Sequence, residues 1–202
     1  MGIPALFDEQ RTAQAAAFFL HKAGGRMPLL KLMKLLYLAE RESYRLYGEP
    51  ISGDKLVSMP QGPALSLTLD MMNGWGGAAQ DGWNHWIEDR SGHHVALRAP
   101  DMIRSERDLL ALSDGDVEIL GSTWERFGHL DAFALVEYTH SGACPDWQDP
   151  HGSSIPIQTE RVLCAVGYDE SAVAGVLGHL AEIESIRALS SGGGDISQRN
   201  PT

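Results

Sequence analysis

Pro28-Leu29-Leu30-Lys31-Leu32-Met33-Lys34-Leu35-Leu36-Tyr37-Leu38-Ala39-Glu40-Arg41-Glu42-Ser43-Tyr44-Arg45-Leu46-Tyr47-Gly48 is the stretch that decides the fold. Proline fits a first helical turn, where an N–H would have no partner, and glycine is favoured just past a helix end. The spacing predicts a helix over 28–47. At about 100° per residue its side chains sort into faces. Leu29, Leu32, Leu36, Ala39, Ser43 and Leu46 make one stripe. Met33, Tyr37, Tyr44 and Tyr47 make a second, aromatic one. An apolar arc this wide predicts a central helix with neighbours on several sides.

The same helix carries a basic stripe. Lys31, Lys34, Arg41 and Arg45 fall within an arc of about 80°, interrupted only by Leu38. The stripe is either a solvated face balanced by Glu42 and Glu49 or a docking surface for an acidic partner segment. A minor nucleic-acid contact is a third use for it.

Working outward, Asp8 caps a helix running to about Lys22, which Gly24-Gly25 ends. Lys55 to Met59 reads as a short strand, stopped by Pro60-Gln61-Gly62-Pro63. Pro63 is then expected to start a helix over 64–72, followed by the loop Gly74-Trp75-Gly76-Gly77. Trp83–Glu88 and His93–Arg98 read as two strands of a hairpin joined by Asp89-Arg90-Ser91-Gly92. Ser113 caps a helix with Asp116 completing a capping box. Its core stripe is Val117, Leu120, Trp124 and Phe127, and Gly128 ends it. Asp131 caps a shorter helix to about His140, with Ala132, Leu135, Val136 and Thr139 on one face. A loop spans 141–154. Asp169 caps a last helix with Val173, Val176, Leu177, Leu180 and Ile183 at helical spacing. The expected fold class is mainly α with a small antiparallel sheet or hairpin. One compact domain is expected over 1–189, with a tail over 190–202 too poor in apolar residues to order itself.

Composition narrows the function. The 202 residues suffice for one packed core, and the formal net charge is -11. That charge repels phosphate backbones and disfavours general nucleic-acid binding. No secretory signal is visible, and Leu6 stands where a myristoylation site needs Ser or Thr. No apolar run approaches a membrane span. A cytoplasmic location without membrane attachment is the expectation.

No catalytic constellation stands out. The chain has two cysteines, Cys144 and Cys164, outside any CxxC pair. His140, Cys144 and His151 are loosely spaced in or beside one loop, where a His/Cys metal site could form. His93 and His94 are adjacent and would point to opposite faces of a strand, with His85 across the hairpin. Nucleotide-binding glycine patterns and the G-x-S-x-G elbow are missing. The expectation is a protein-binding module that is not an enzyme and takes no cofactor. A small metal-dependent hydrolase using His140, Cys144 and His151 is the enzymatic alternative.

Two separated segments carry a family likeness. The first is Leu32-Met33-Lys34-Leu35-Leu36-Tyr37-Leu38-Ala39, then Leu46-Tyr47-Gly48-Glu49-Pro50-Ile51, then Gln61-Gly62-Pro63. The second is Leu135-Val136-Glu137-Tyr138-Thr139-His140, followed by Pro145-Asp146-Trp147. In order and spacing they resemble the Panacea domain of SocA-like antitoxins, over roughly 13–150. Gln61 replaces the aromatic usual before Gly-Pro, and the chain beyond about Gln158 lies outside the likeness. The resemblance implies a non-enzymatic antitoxin that binds a cognate toxin. It implies either neutralisation by direct binding or service as an adaptor to an ATP-dependent protease, and a place among phage-defence systems. A DNA-binding autoregulator using the basic stripe is the rival reading, and the oligomeric state is left open.

Structural roles are expected for Leu35, Tyr37, Gly48, Thr139, His140 and Trp147. Tyr37 packs while Lys34 snorkels to the surface, and Trp147 covers the helix end at Thr139-His140. Contact with a partner is expected at Lys31, Lys34, Arg41 and Arg45, or at Gln61-Gly62-Pro63 beside Trp83 and Trp86.

Overall fold

The computed structural model describes residues 4–77 and 79–192. Its elements are α1 (Glu9–Lys22), β1 (Arg26–Pro28), α2 (Leu29–Tyr47), β2 (Leu56–Met59), β3 (Gly62–Leu65), α3 (Ser66–Met72), α4 (Trp83–Trp86) and β4 (His94–Ala96), then α5 (Asp114–Phe127), α6 (Ala132–His140), β5 (Ile155–Pro156), α7 (Thr159–Ala165) and α8 (Glu170–Gly192). A 3-10 turn, Glu106–Asp108, precedes α5. The expected mainly α class with small antiparallel sheets is what the chain adopts.

α2 is the central element. It packs against α1, α5, α6, α7 and β3. Leu32, Leu35 and Tyr37 are wholly buried. Leu46 and Tyr47, assigned above to its core stripes, lie half exposed at its C-terminal end. Gly48 ends the helix in the left-handed region and packs against Val176. Pro28 is not the first helical residue. It closes β1, whose pairing with β4 fixes the angle at which α2 leaves.

The local caps are as expected. The Asp8 carboxylate accepts from Arg11 N, Ser113 and Asp116 form a capping box, and Asp131 accepts from Phe133 N and Ala134 N. Arg11 then clamps Asp116 with two bonds of 2.8 Å, tying α1 to the start of α5.

Several expectations are corrected. The Trp83–Glu88 strand is a single helical turn, and β4 pairs with β1 across 68 positions of sequence, Met27 opposite Val95. The expected hairpin survives only as isolated bridges, Ile87 with Leu97 and Ser91 with His94. Trp83 and Trp86 are buried, and burying both consecutive faces of a short segment suits a turn against α1 better than a strand. Pro63 starts no helix but lies in β3, paired with Ser58. β3 is an edge strand, where a missing N–H costs nothing. α3 begins three residues later at Ser66. Its first turn is capped in trans by Asp54, which accepts from Leu67 N, Thr68 N and Thr68 Oγ1 at 2.7–2.9 Å. β5 and α7 lie in segments where no element was expected. The helix α8 extends to Gly192, and the expected tail otherwise falls on 193–202, outside the described residues.

Glu40 shows how α2 organises its surroundings. It is buried, and it accepts from Ile51 N, Ser52 N, Ser52 Oγ and Gly53 N. Ser52 in turn accepts from Asp8 N through its carbonyl and from Asp54 N through its hydroxyl. One carboxylate thus ties α2 to the start of α1 and to the cap of α3. Glu40→Gln turns one acceptor into a donor facing N–H groups. It is expected to cost about 1–3 kcal/mol in urea unfolding.

Candidate functional site

Both segments of the family likeness meet inside the fold. α2 presents Lys34, Tyr37 and Arg41 along one face, toward β3, α6 and the loop after α6. Helical spacing of three and four residues stacks these side chains.

Lys34 does not snorkel. It is 1 % exposed, and its Nζ donates to the Pro63 carbonyl at 2.6 Å. Among the described residues no carboxylate lies within ion-pair reach of it. Burial lowers its pKa to about 7. Gly62 stands at φ +93 directly over this contact. A Cβ there would come within 2.7 Å of Thr139 Oγ1 and 3.0 Å of Lys34 Nζ. Glycine is required here both for its backbone angle and for the approach of α6. Thr139 is buried and returns its hydroxyl to Val136 O at 3.0 Å.

Tyr37 donates its hydroxyl to Asp146, which is fully buried. Arg41 Nε donates to the other Asp146 oxygen at 2.9 Å, and its Nη2 reaches Ala165 O at 3.3 Å. Asp146 is therefore the internal counter-ion of α2, reaching it across more than 100 residues. Burial pushes the neighbouring Cys144 thiol up to about 11. A thiol so placed is no nucleophile at neutral pH. Trp147 donates to Met59 O at 3.1 Å, and the exposed His140 ring stacks on its indole at 4.1 Å. Burial, with help from the Lys34 charge, holds His140 below its ordinary pKa. Trp147 does cover the end of α6, and it also fastens that end to the β2–β3 turn. Leu35, on the opposite face of α2, is wholly buried.

The structure separates residues that spacing grouped. Of the basic stripe, Lys34 is internal and Arg41 is held by Asp146. Lys31 donates to Gly128 O at 2.7 Å, capping α5, and lies over the Trp124 ring. Only Arg45 is well exposed, paired with Glu42. Gln61 is exposed, whereas Gly62 and Pro63 are buried. Trp83 and Trp86 pack on α1, while the turn packs on α2 and α6. His140, Cys144 and His151 do not converge. Among the described residues no three His, Cys, Asp or Glu side chains are grouped as a metal would need. Asp146 belongs to the Pro145-Asp146-Trp147 string of the likeness, yet its role as counter-ion is not among the expectations from sequence. Its signal is an acid in a loop that has to meet a helix carrying unpaired lysine and arginine.

Two outcomes test this arrangement. The folded chain holds the Lys34 proton less tightly than the unfolded chain, so unfolding takes up a proton between about pH 7 and the ordinary lysine value of 10.5. Stability then rises with pH from about 7, until Cys144 and the buried tyrosines begin to oppose it. Below pH 7 the cost of the buried charge is fully present. Lys34→Met is expected to flatten that rise when melting temperature is followed from pH 6 to 9. Gly62→Ala is expected to lose about 2–4 kcal/mol in chemical denaturation.

A family model described as antitoxin SocA-like, Panacea domain, matches residues 32–148. That span begins inside α2 and ends just past Trp147, so it encloses the whole buried cluster. No curated protein matches the chain, and no solved structure does.

Proposed function

The chain belongs to the SocA-like antitoxin family, Panacea domain, and on that footing we propose that it neutralises a toxin by binding it as a folded protein. One observation supports this reading above others. The residues that carry the family likeness are engaged with one another inside the fold. Lys34 is spent on Pro63, Tyr37 and Arg41 on Asp146, Trp147 on Met59. Such an arrangement supports a rigid platform for capture, with the Cys144 thiol inside it kept protonated by burial. The reading is non-enzymatic. No helix among the described residues is long and apolar enough to cross a membrane.

For the contact surface we favour the groups of the two expected patches that stand exposed, Arg45 and Gln61, with the half-buried Lys31 between α2 and the end of α5. Arg41 is a poor probe of contact. Reversing its charge would leave the Asp146 carboxylate buried without its cation, a loss of about 3–5 kcal/mol. The same platform would serve delivery of the toxin to an ATP-dependent protease.

Co-expression with a toxin encoded in the adjacent reading frame is the test. Growth should be rescued, and the two proteins should co-purify. A toxin that stays lethal beside abundant folded chain would sink the reading. Delivery for degradation predicts that the toxin's half-life falls in the presence of this chain and recovers in a protease-deficient host. Direct neutralisation leaves the half-life unchanged or longer.

A further inference from the structure

A cleft opens between α2 and α5 beneath the end of α7, with a volume near 510 Å³. Its floor is apolar: Leu38 and Phe127 are buried there. Its walls hold three guanidinium groups, Arg41, Arg45 and Arg126, and one carboxylate, Glu42. In a chain of net charge -11 this is a local inversion of sign.

Each guanidinium is held in place. Arg41 is fixed from behind by Asp146. Arg126 donates to Tyr138 Oη at 3.3 Å and lies over the Phe127 ring at 4.9 Å. Among the described residues no carboxylate lies within ion-pair distance of Arg126. Arg45 grips Glu42 with bonds of 2.8 and 2.6 Å. The hydrogen bond from Arg45, with the charges of Arg45, Arg126 and Arg41, holds Glu42 below its ordinary pKa. Glu42 is thus a carboxylate of the chain's own around which three cations gather, and it leaves positive charge over.

We propose that this cleft receives an acidic segment of the partner protein, with an apolar side chain on the Leu38–Phe127 floor and carboxylates on Arg126 and Arg45. The segment competes with Glu42 for Arg45 and finds Arg126 without a carboxylate. Guanidinium groups held in place this way suit forked carboxylate recognition. The volume accommodates one or two side chains. A phosphodiester backbone offers no apolar anchor and meets repulsion from the rest of the surface. The inference rests on the antitoxin reading only for the identity of the protein that brings the segment.

The experiment uses the full chain and a fluorescein-labelled peptide of sequence Asp-Glu-Phe-Asp-Asp-Leu, followed by anisotropy. Binding that weakens with added salt is expected. Arg126→Gln, which keeps the stem and removes the charge, should weaken it about tenfold. Glu42→Gln should strengthen it about three- to tenfold, a gain that damage to the fold does not produce. No detectable binding overturns the proposal. So does equal affinity for Arg126→Gln, or a loss with Glu42→Gln. A single-stranded oligonucleotide binding more tightly than the peptide also overturns it. If peptide binding follows the expected pattern but no toxin is neutralised, the antitoxin reading fails and the cleft stands. If Arg126→Gln and wild type hold the toxin equally, the cleft assignment to that partner fails and the antitoxin reading stands.

Discussion

A helix buried around most of its circumference has to satisfy its ionisable side chains from within, and α2 is such a helix. Lys34, Glu40 and Arg41 are drawn from water with it, and each left unpaired would cost several kcal/mol. Each finds its partner in a different part of the chain. Lys34 takes a strand carbonyl, Glu40 takes three successive backbone N–H groups, and Arg41 takes Asp146 from beyond α6. Folding the rest of the domain and satisfying α2 are therefore one event. Hydrophobic burial supplies the drive, being non-directional. The polar contacts choose among the ways of packing, because only one docking of β3, the 51–53 loop and the 144–147 loop serves all three charges.

What could be read in the sequence follows from how far each signal reaches. α5 and α6 announce themselves through a cap residue and a stripe, α1 through its cap and the glycines that end it, and α2 through its stripes and the proline and glycine at its ends, all signals held within the segment itself. The turn-and-strand region does not. β1 and β4 are three residues long, and each is stabilised by the other from 68 positions away. The expected hairpin is reduced to two bridges, Ile87 with Leu97 and Ser91 with His94, because 83–86 coils into a helical turn and β4 takes β1 as its strand partner. The start of α3 is hidden for a related reason: Asp54 caps it from twelve residues upstream of Ser66, and no local pattern marks a cap supplied in trans.

The basic stripe illustrates a subtler limit. Helical geometry placed Lys31, Lys34, Arg41 and Arg45 on one arc, and they do share it. A wheel drawn for one helix says nothing of what covers the arc. α6 and the loop after it lie over Lys34 and Arg41, leaving Arg45 outside. The relation of Arg126 to Arg45 exists only across two antiparallel helices, where no wheel drawn for one of them contains it. The family likeness and the surface chemistry thus occupy different layers. The matching residues build the interior, and the groups that would distinguish one partner from another stand in front of it.

The family span opens at Leu32, after α1 has ended. Yet Thr12 to Leu20 are buried without a break, and Phe18, Phe19 and Leu20 form part of the same core as Leu35 and Leu120. At the far end Arg187 of α8 donates to Leu6 O, closing the described chain back upon its beginning. The recognisable signature and the packed core thus have different extents. A fragment trimmed to the signature would leave one wall of the core open to water. Transplanting this domain into another protein requires moving the helices that carry none of its defining letters.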